Sequence, residues 1–140
     1  MLLEEYRQSE TPWDSMAMQM ATFLPYLQAL LAVSDMVEER FHAVFLDGDR
    51  GYLDDGELGQ GNVSNMAIRM RDLFARALAL GARGLIIAHN HPSGDCRPSQ
   101  HDLDATRRLA EIASALDIEL IDHLIFTREK VYSMRAGGKL

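Results

Sequence analysis

The spacing of apolar positions divides the chain into stretches of helical and extended period. Residues Met16 to Leu31 are largely apolar and follow Thr11-Pro12-Trp13-Asp14, which reads as a helix start. Pro25 is placed to begin a second helical piece at its first turn. Phe41-His42-Ala43-Val44-Phe45-Leu46, rich in aromatic and aliphatic residues, runs into Asp47-Gly48-Asp49-Arg50-Gly51. That predicts a hairpin whose second strand runs from Tyr52 toward Leu58. Beyond Gly59-Gln60-Gly61, the residues Met66, Met70, Leu73, Phe74, Ala77 and Leu78 recur at helical spacing, with Ser64 or Asn65 as cap and an end near Gly81. Gly84-Leu85-Ile86-Ile87-Ala88 is wholly apolar, the pattern of a strand covered on both faces, and it delivers His89 and His91 just past its end. Ser99 opens a helix to about Leu116, with Leu103, Thr106, Arg107, Ala110 and Ala113 marking its turns. Ile118 to Phe126 and Val131 to Met134 supply two last strands. Helix, two strands, helix, strand, helix, two strands predicts an α/β fold, a mixed β-sheet sandwiched by helices.

Composition changes this picture little. A chain of 140 residues fits one domain, and 47% hydrophobic with 25% charged residues is an ordinary globular balance. Met1-Leu2-Leu3-Glu4-Glu5 carries no basic stretch ahead of a long apolar run, so no signal peptide is expected. The most apolar stretch, Leu78 to Ala88, is broken by Gly81, Arg83 and Gly84 and falls short of the roughly 20 residues that cross a bilayer. The expectation is a cytoplasmic protein with no membrane partner. Cys96 is the only cysteine, which excludes an internal disulfide and a four-cysteine metal cage, so any metal must rest on histidines and carboxylates. The net charge of −7 weighs against direct DNA binding. Residues 1–60 hold 12 acidic and 3 basic side chains, and residues 61–140 hold 9 and 11. The acidic front half suits solubility or a basic partner.

Candidate chemistry gathers between His89 and Asp102. A catalytic zinc usually takes three protein ligands from histidines and carboxylates and leaves a fourth position to water. His89, His91 and Asp102 offer such a set. In an ideal strand two histidines one residue apart diverge, so a turn beginning at Asn90 and Pro92 is needed to bring them together. Ser99 and Asp102 also read as a helix N-cap and its acidic third position, and both roles can hold. Cys96 is either a fourth ligand that closes the site or an incidental loop thiol. Asp122-His123 is either a pair that orients a ligand or a buried, satisfied contact. Met16, Met18 and Met20 read as adaptable packing. The contiguous His89-Asn90-His91 is not the arrangement of HNH nucleases, and the His-x-Glu and Pro-Cys-x-x-Cys elements of zinc deaminases are absent.

The pattern His-x-His-Pro, six residues, Ser, two residues, Asp closely resembles the motif of JAB/MPN-domain (JAMM) metallopeptidases. More narrowly, Ala88-His89-Asn90-His91-Pro92-Ser93-Gly94-Asp95, Pro98-Ser99 and Asp122-His123-Leu124-Ile125 resemble the RadC family, named for a supposed role in DNA repair. The resemblance implies a JAB/MPN, cytidine-deaminase-like architecture over residues 39–140, with residues 1–38 as a helical segment packed on it. RadC-like proteins often carry a helix-hairpin-helix domain, for which residues 1–38 are too few. It implies His89, His91 and Asp102 as ligands of a single zinc ion and Ser99 as a hydrogen-bond donor to the oxyanion. Glu39 is implied as the general base, with the choice between Glu38 and Glu39 resting on the resemblance. The implied reaction is hydrolysis of an amide or isopeptide bond in a peptide or protein substrate. The alternatives are a catalytically silent, metal-stabilised scaffold and an accessory to DNA repair. Oligomeric state, a homo-oligomer included, is left open.

Overall fold

The apolar run from Gly84 lies at the centre of a five-stranded sheet of order β2-β1-β3-β4-β5. The computed structural model describes residues 17–31, 38–58 and 66–140, with side chains from residues 23, 38 and 70 onward in the three stretches. The elements are α1 (Ala17–Leu31), β1 (Phe41–Leu46), β2 (Tyr52–Glu57), α2 (Met66–Leu80), β3 (Gly84–Asn90), α3 (Gln100–Ala115), β4 (Glu119–Phe126) and β5 (Val131–Ser133). The expected helix start at residues 11–14, Met16, the cap at Ser64 or Asn65 and the side chains of Met18 and Met20 lie outside the described residues.

β3 pairs antiparallel with β1 and parallel with β4, and the outer pairs β1–β2 and β4–β5 are antiparallel. The sheet is therefore mixed. Every residue of β1 and β3 is buried, which explains their unbroken apolar composition. Phe41, Ala43, Phe45, Leu85 and Ile87 face Leu73, Phe74 and Ala77 of α2 and Leu109 and Ala113 of α3. On the other face, Leu24, Leu27 and Leu31 of α1 cover Val44, Ile86, Ala88 and Leu124. The layers are thus α/β/α, with helices on both faces.

Two sequence expectations need correction. Pro25 does not start a new helix but lies inside one continuous α1. The buried Leu24, Leu27 and Leu31 keep one face of that helix on the sheet across the proline, so packing outweighs the missing N–H. β3 also runs two residues beyond Ala88, so His89 is within the strand rather than past its end. The ladder from β1 continues through the pair Phe41–His89.

A side-chain cluster adds to the hold on α1. The Asp55 carboxylate accepts from the hydroxyls of Tyr26 and Tyr52, and His42 Nε2 lies 2.6 Å from it. The hydrogen bond that Tyr52 donates to Asp55, with burial and the carboxylate charge behind it, pushes the Tyr52 phenol up to about 12. Among the described residues no helix is long and apolar enough to cross a membrane.

The β3–β4 register carries an irregularity. Leu85 pairs with Leu120 and Ile86 with Asp122, which leaves Ile121 as an extra residue. Such a bulge switches the alternation of faces. Leu120 faces α2 and α3, and three residues later His123 contacts Thr106 of α3 instead of pointing to the opposite layer.

Phe45 is fully buried between β1 and α2. Phe45→Ala is expected to lower unfolding free energy by about 3–5 kcal/mol in urea denaturation, because a cavity of that size cannot close fully.

Candidate metal centre

His89 ends the inward-facing row Leu85, Ile87, His89 of β3 and is fully buried. Its ring stacks on that of Phe41, with centroids 4.7 Å apart and planes 12° from parallel. β3 stops at Asn90, and Pro92 and Gly94 turn the chain. Gly94 has φ of +85°, a conformation that favours glycine, and its N–H donates to the His91 carbonyl. The turn brings His91 Nε2 to 3.0 Å from His89 Nε2, so the two histidines converge.

α3 brings the third group. Ser99 caps the helix: its hydroxyl accepts from the Asp102 N–H at 3.0 Å, and Asp102 Oδ2 accepts from the Ser99 N–H at 2.9 Å. This reciprocal box holds the buried Asp102 carboxylate with Oδ2 3.0 Å from His91 Nε2 and Oδ1 3.4 Å from His89 Nε2. Asp102 therefore caps the helix and faces the histidines at once. Ser99, exposed, uses its hydroxyl oxygen for the cap and keeps its proton available to donate.

The donor chemistry suits a cation. A carbonyl oxygen can only accept, so the 2.8 Å contact of His91 Nδ1 with the Asp95 carbonyl puts a proton on Nδ1, and in the neutral ring Nε2 is then the lone pair. Three electron-rich groups thus meet at 3.0–3.4 Å. Ligands about 2.0–2.1 Å from a tetrahedral zinc stand roughly 3.3–3.4 Å apart, so these residues fit such an ion.

Glu39 lies on the solvent side, with Oε1 4.0 Å from His91 Nε2 and the side chain 41% exposed. Ligand atoms of Glu39, His89 and His91 all lie within 4.8 Å of one another. Of the two adjacent glutamates it is Glu39 that reaches this site, whereas the exposed Glu38 contributes its carbonyl to Asn90. Glu39, His91, Ser93, Asp95, Arg97 and Ser99 line an open groove of about 550 Å³. Cys96 is buried against Ile125 and Met134 and is not among the side chains whose donor atoms gather here.

The charges agree with a positive centre. Burial pushes Asp102 up, yet its contacts with His89 and His91 and the hydrogen bond from the Ser99 N–H hold it far below the usual carboxylate range. Burial pushes His91 down, but its hydrogen bonds to Asp102 and the Asp95 carbonyl, with the charges of Asp102 and Glu39, carry it above the usual histidine range. Burial drives His123 well below that range, helped by the charges of His89 and His91 and opposed by Asp102. His123 is neutral.

Two supporting residues, Asn90 and Thr106, were not singled out with these roles in the sequence. Asn90 is buried; its Oδ1 accepts from the Arg40 N–H at 2.6 Å and its Nδ2 donates to the Glu38 carbonyl at 3.1 Å, clamping both neighbours of Glu39. Thr106 Oγ1 lies 2.7 Å from His123 Nδ1, and His123 Nε2 lies 2.7 Å from His89 Nδ1. Asp122 and His123 serve different places. Asp122 accepts from the Ser133 hydroxyl and the Arg135 N–H in the C-terminal turn, while His123 turns to His89. The only sequence signals for Asn90 and Thr106 were a polar residue at a strand end and a threonine on the inner face of a helix.

Residues 17–139 match the family described as RadC-like JAB domain. The chain is 38% identical over 110 residues to a UPF0758 protein of Cupriavidus pinatubonensis, covering 79% of this chain and 48% of that protein. It is 37% identical over 134 residues to a UPF0758 protein of Ruegeria pomeroyi, covering 96% and 56%. A UPF0758 protein of Acidithiobacillus ferrooxidans is 40% identical over 113 residues, covering 81% and 50%. The chain spans about half the length of these curated relatives.

Protons and a cation compete for the same lone pairs. Because His91 is raised, affinity for a divalent cation measured by titration across pH should begin to fall at a higher pH than for an ordinary histidine site. An affinity unchanged from neutral pH to below the ordinary histidine range would contradict this. In the metal-free chain the stability from Asp102, whose folded value is depressed, is present at neutral pH and lost as pH falls below the ordinary carboxylate range. That from His91, whose folded value is raised, is present below the ordinary histidine range and lost as pH rises through the raised value.

Proposed function

Because this chain belongs to the family of RadC-like JAB domains, we propose that it is a zinc-dependent hydrolase of the JAB/MPN metallopeptidase type, acting on an amide or isopeptide bond of a peptide or protein. The observation that carries the reading is the meeting of His89 Nε2, His91 Nε2 and the Asp102 carboxylate at 3.0–3.4 Å, with the Glu39 carboxylate beside them on the open side.

His89, His91 and Asp102 hold the ion. Zinc, when bound, polarises a carbonyl and brings the pKa of a water near neutrality. Glu39 is the base: it is half-exposed at the groove, fixed through its neighbours by Asn90, and close enough to the histidines to take a proton and return it to the leaving amine. Ser99 donates its free hydroxyl proton toward the carbonyl oxygen as charge develops there. Buried His89 and Phe41 close the inner wall against water, so substrate enters from the groove lined by Ser93, Asp95 and Arg97.

Metal analysis of purified variants tests the ligands. His89→Ala and Asp102→Ala should each lose stoichiometric zinc, and full retention by both would sink the site. Glu39→Gln should keep zinc but lose turnover of peptide or isopeptide substrates by about 10²- to 10⁴-fold, the usual worth of a general base. Unchanged turnover would assign the proton transfer to another group.

A further inference from the structure

The buried contacts behind His89 form a chain in which each hydrogen has one available place. Thr106 Oγ1 lies 2.7 Å from the Asp102 carbonyl, which has no proton to give, so the hydroxyl's single hydrogen goes there. The hydroxyl oxygen can then only accept from its other neighbour, His123 Nδ1 at 2.7 Å, which must carry a proton. The ring is 1% exposed and its hydrogen-bond partners are a hydroxyl and an imidazole, neither of which balances a buried charge, so it carries that one proton and Nε2 is an acceptor. It lies 2.7 Å from His89 Nδ1, which must therefore be the protonated nitrogen of His89. His89 Nε2 is then the lone pair, aimed at His91 Nε2 and Asp102.

We infer that Thr106 and His123 are positioning residues that fix the tautomer of His89, so that Nε2 is presented as a ready metal ligand. The chain runs from the helix that bears Asp102 to the strand that bears His89, and so couples the placement of two ligands. The extra residue Ile121 in β4 explains how it is built: without it His123 would face the opposite layer. His123 is 1% exposed and Thr106 also 1%, so water does not substitute for either partner. Were the chain reversed, with His123 Nε2 protonated, His89 would carry its proton on Nε2 and block the centre. The hydroxyl of Thr106 prevents this because it cannot donate to both the carbonyl and the imidazole.

The inference rests on the metal reading of the site, and zinc affinity of the full-length variants, by competition with a chromophoric chelator, separates the two. His123→Phe keeps a ring without an acceptor and Thr106→Val keeps the shape without the hydroxyl; each should weaken zinc binding by about 10- to 100-fold, the usual effect of removing such a partner. His123→Gln, whose amide oxygen can accept from His89 Nδ1, and Thr106→Ser, which keeps the hydroxyl, should bind nearly as the unaltered chain does. Folding of each is checked by circular dichroism. If His123→Phe does not fold, the Val and Ser variants at Thr106 decide. Unweakened binding by folded Phe and Val variants overturns the relay, as does equal weakening in the Gln and Ser variants, which would mean packing alone. If the unaltered chain takes up no zinc, the metal reading fails and the relay with it.

Discussion

Two imidazole lone pairs and a carboxylate held 3.0–3.4 Å apart repel one another unless positive charge stands between them. In water the side chains would swing away. Here His89 is fully buried, stacked on Phe41 and held from behind by His123, and Asp102 is locked into a helix cap. Burial opposes both shifts, yet the contact between the carboxylate and the imidazoles drives Asp102 down and His91 up. A cation would meet the constraint with three bonds. Much of what is irregular in this fold keeps that triangle from relaxing.

The devices are local and cheap. The turn with Gly94 brings back a histidine that strand alternation would send away, and the helix that follows starts at once, with its capping carboxylate doubling as a ligand candidate. A residue added to β4 turns His123 inward. The short approach to β1 is clamped at Arg40 and Glu38 by one amide, Asn90, which holds Glu39 at the mouth of the site while the strand itself is buried on both faces. The site thus draws on β1, β3, α3 and β4, and its geometry depends on sheet register more than on any single loop.

The layered α/β arrangement, the hairpin, the central apolar strand and the helix from Ser99 were legible because each rests on periodicity or turn chemistry within one segment. The ligand candidates were legible because their residue types and spacing are specific. Pro25 misled, since local propensity predicts a break where burial of Leu24, Leu27 and Leu31 carries the helix through. The end of β3 was placed two residues early because a polar His89 and Asn90 look like loop, although the ladder from β1 continues past them. Asn90 and Thr106 could not have been assigned roles from sequence: their partners are 50 and 17 residues away, and only register brings them together. The division of labour between Asp122 and His123 follows from a bulge that has no sequence signature of its own.

X-ray absorption at the zinc edge of the loaded protein reads the ligands of the proposed ion most directly. The account predicts two imidazole nitrogens and oxygen donors at about 2.0–2.2 Å with no sulfur in the shell. A scatterer at about 2.3 Å, the distance of a thiolate, would put Cys96 in the shell, close the position left for water, and contradict it.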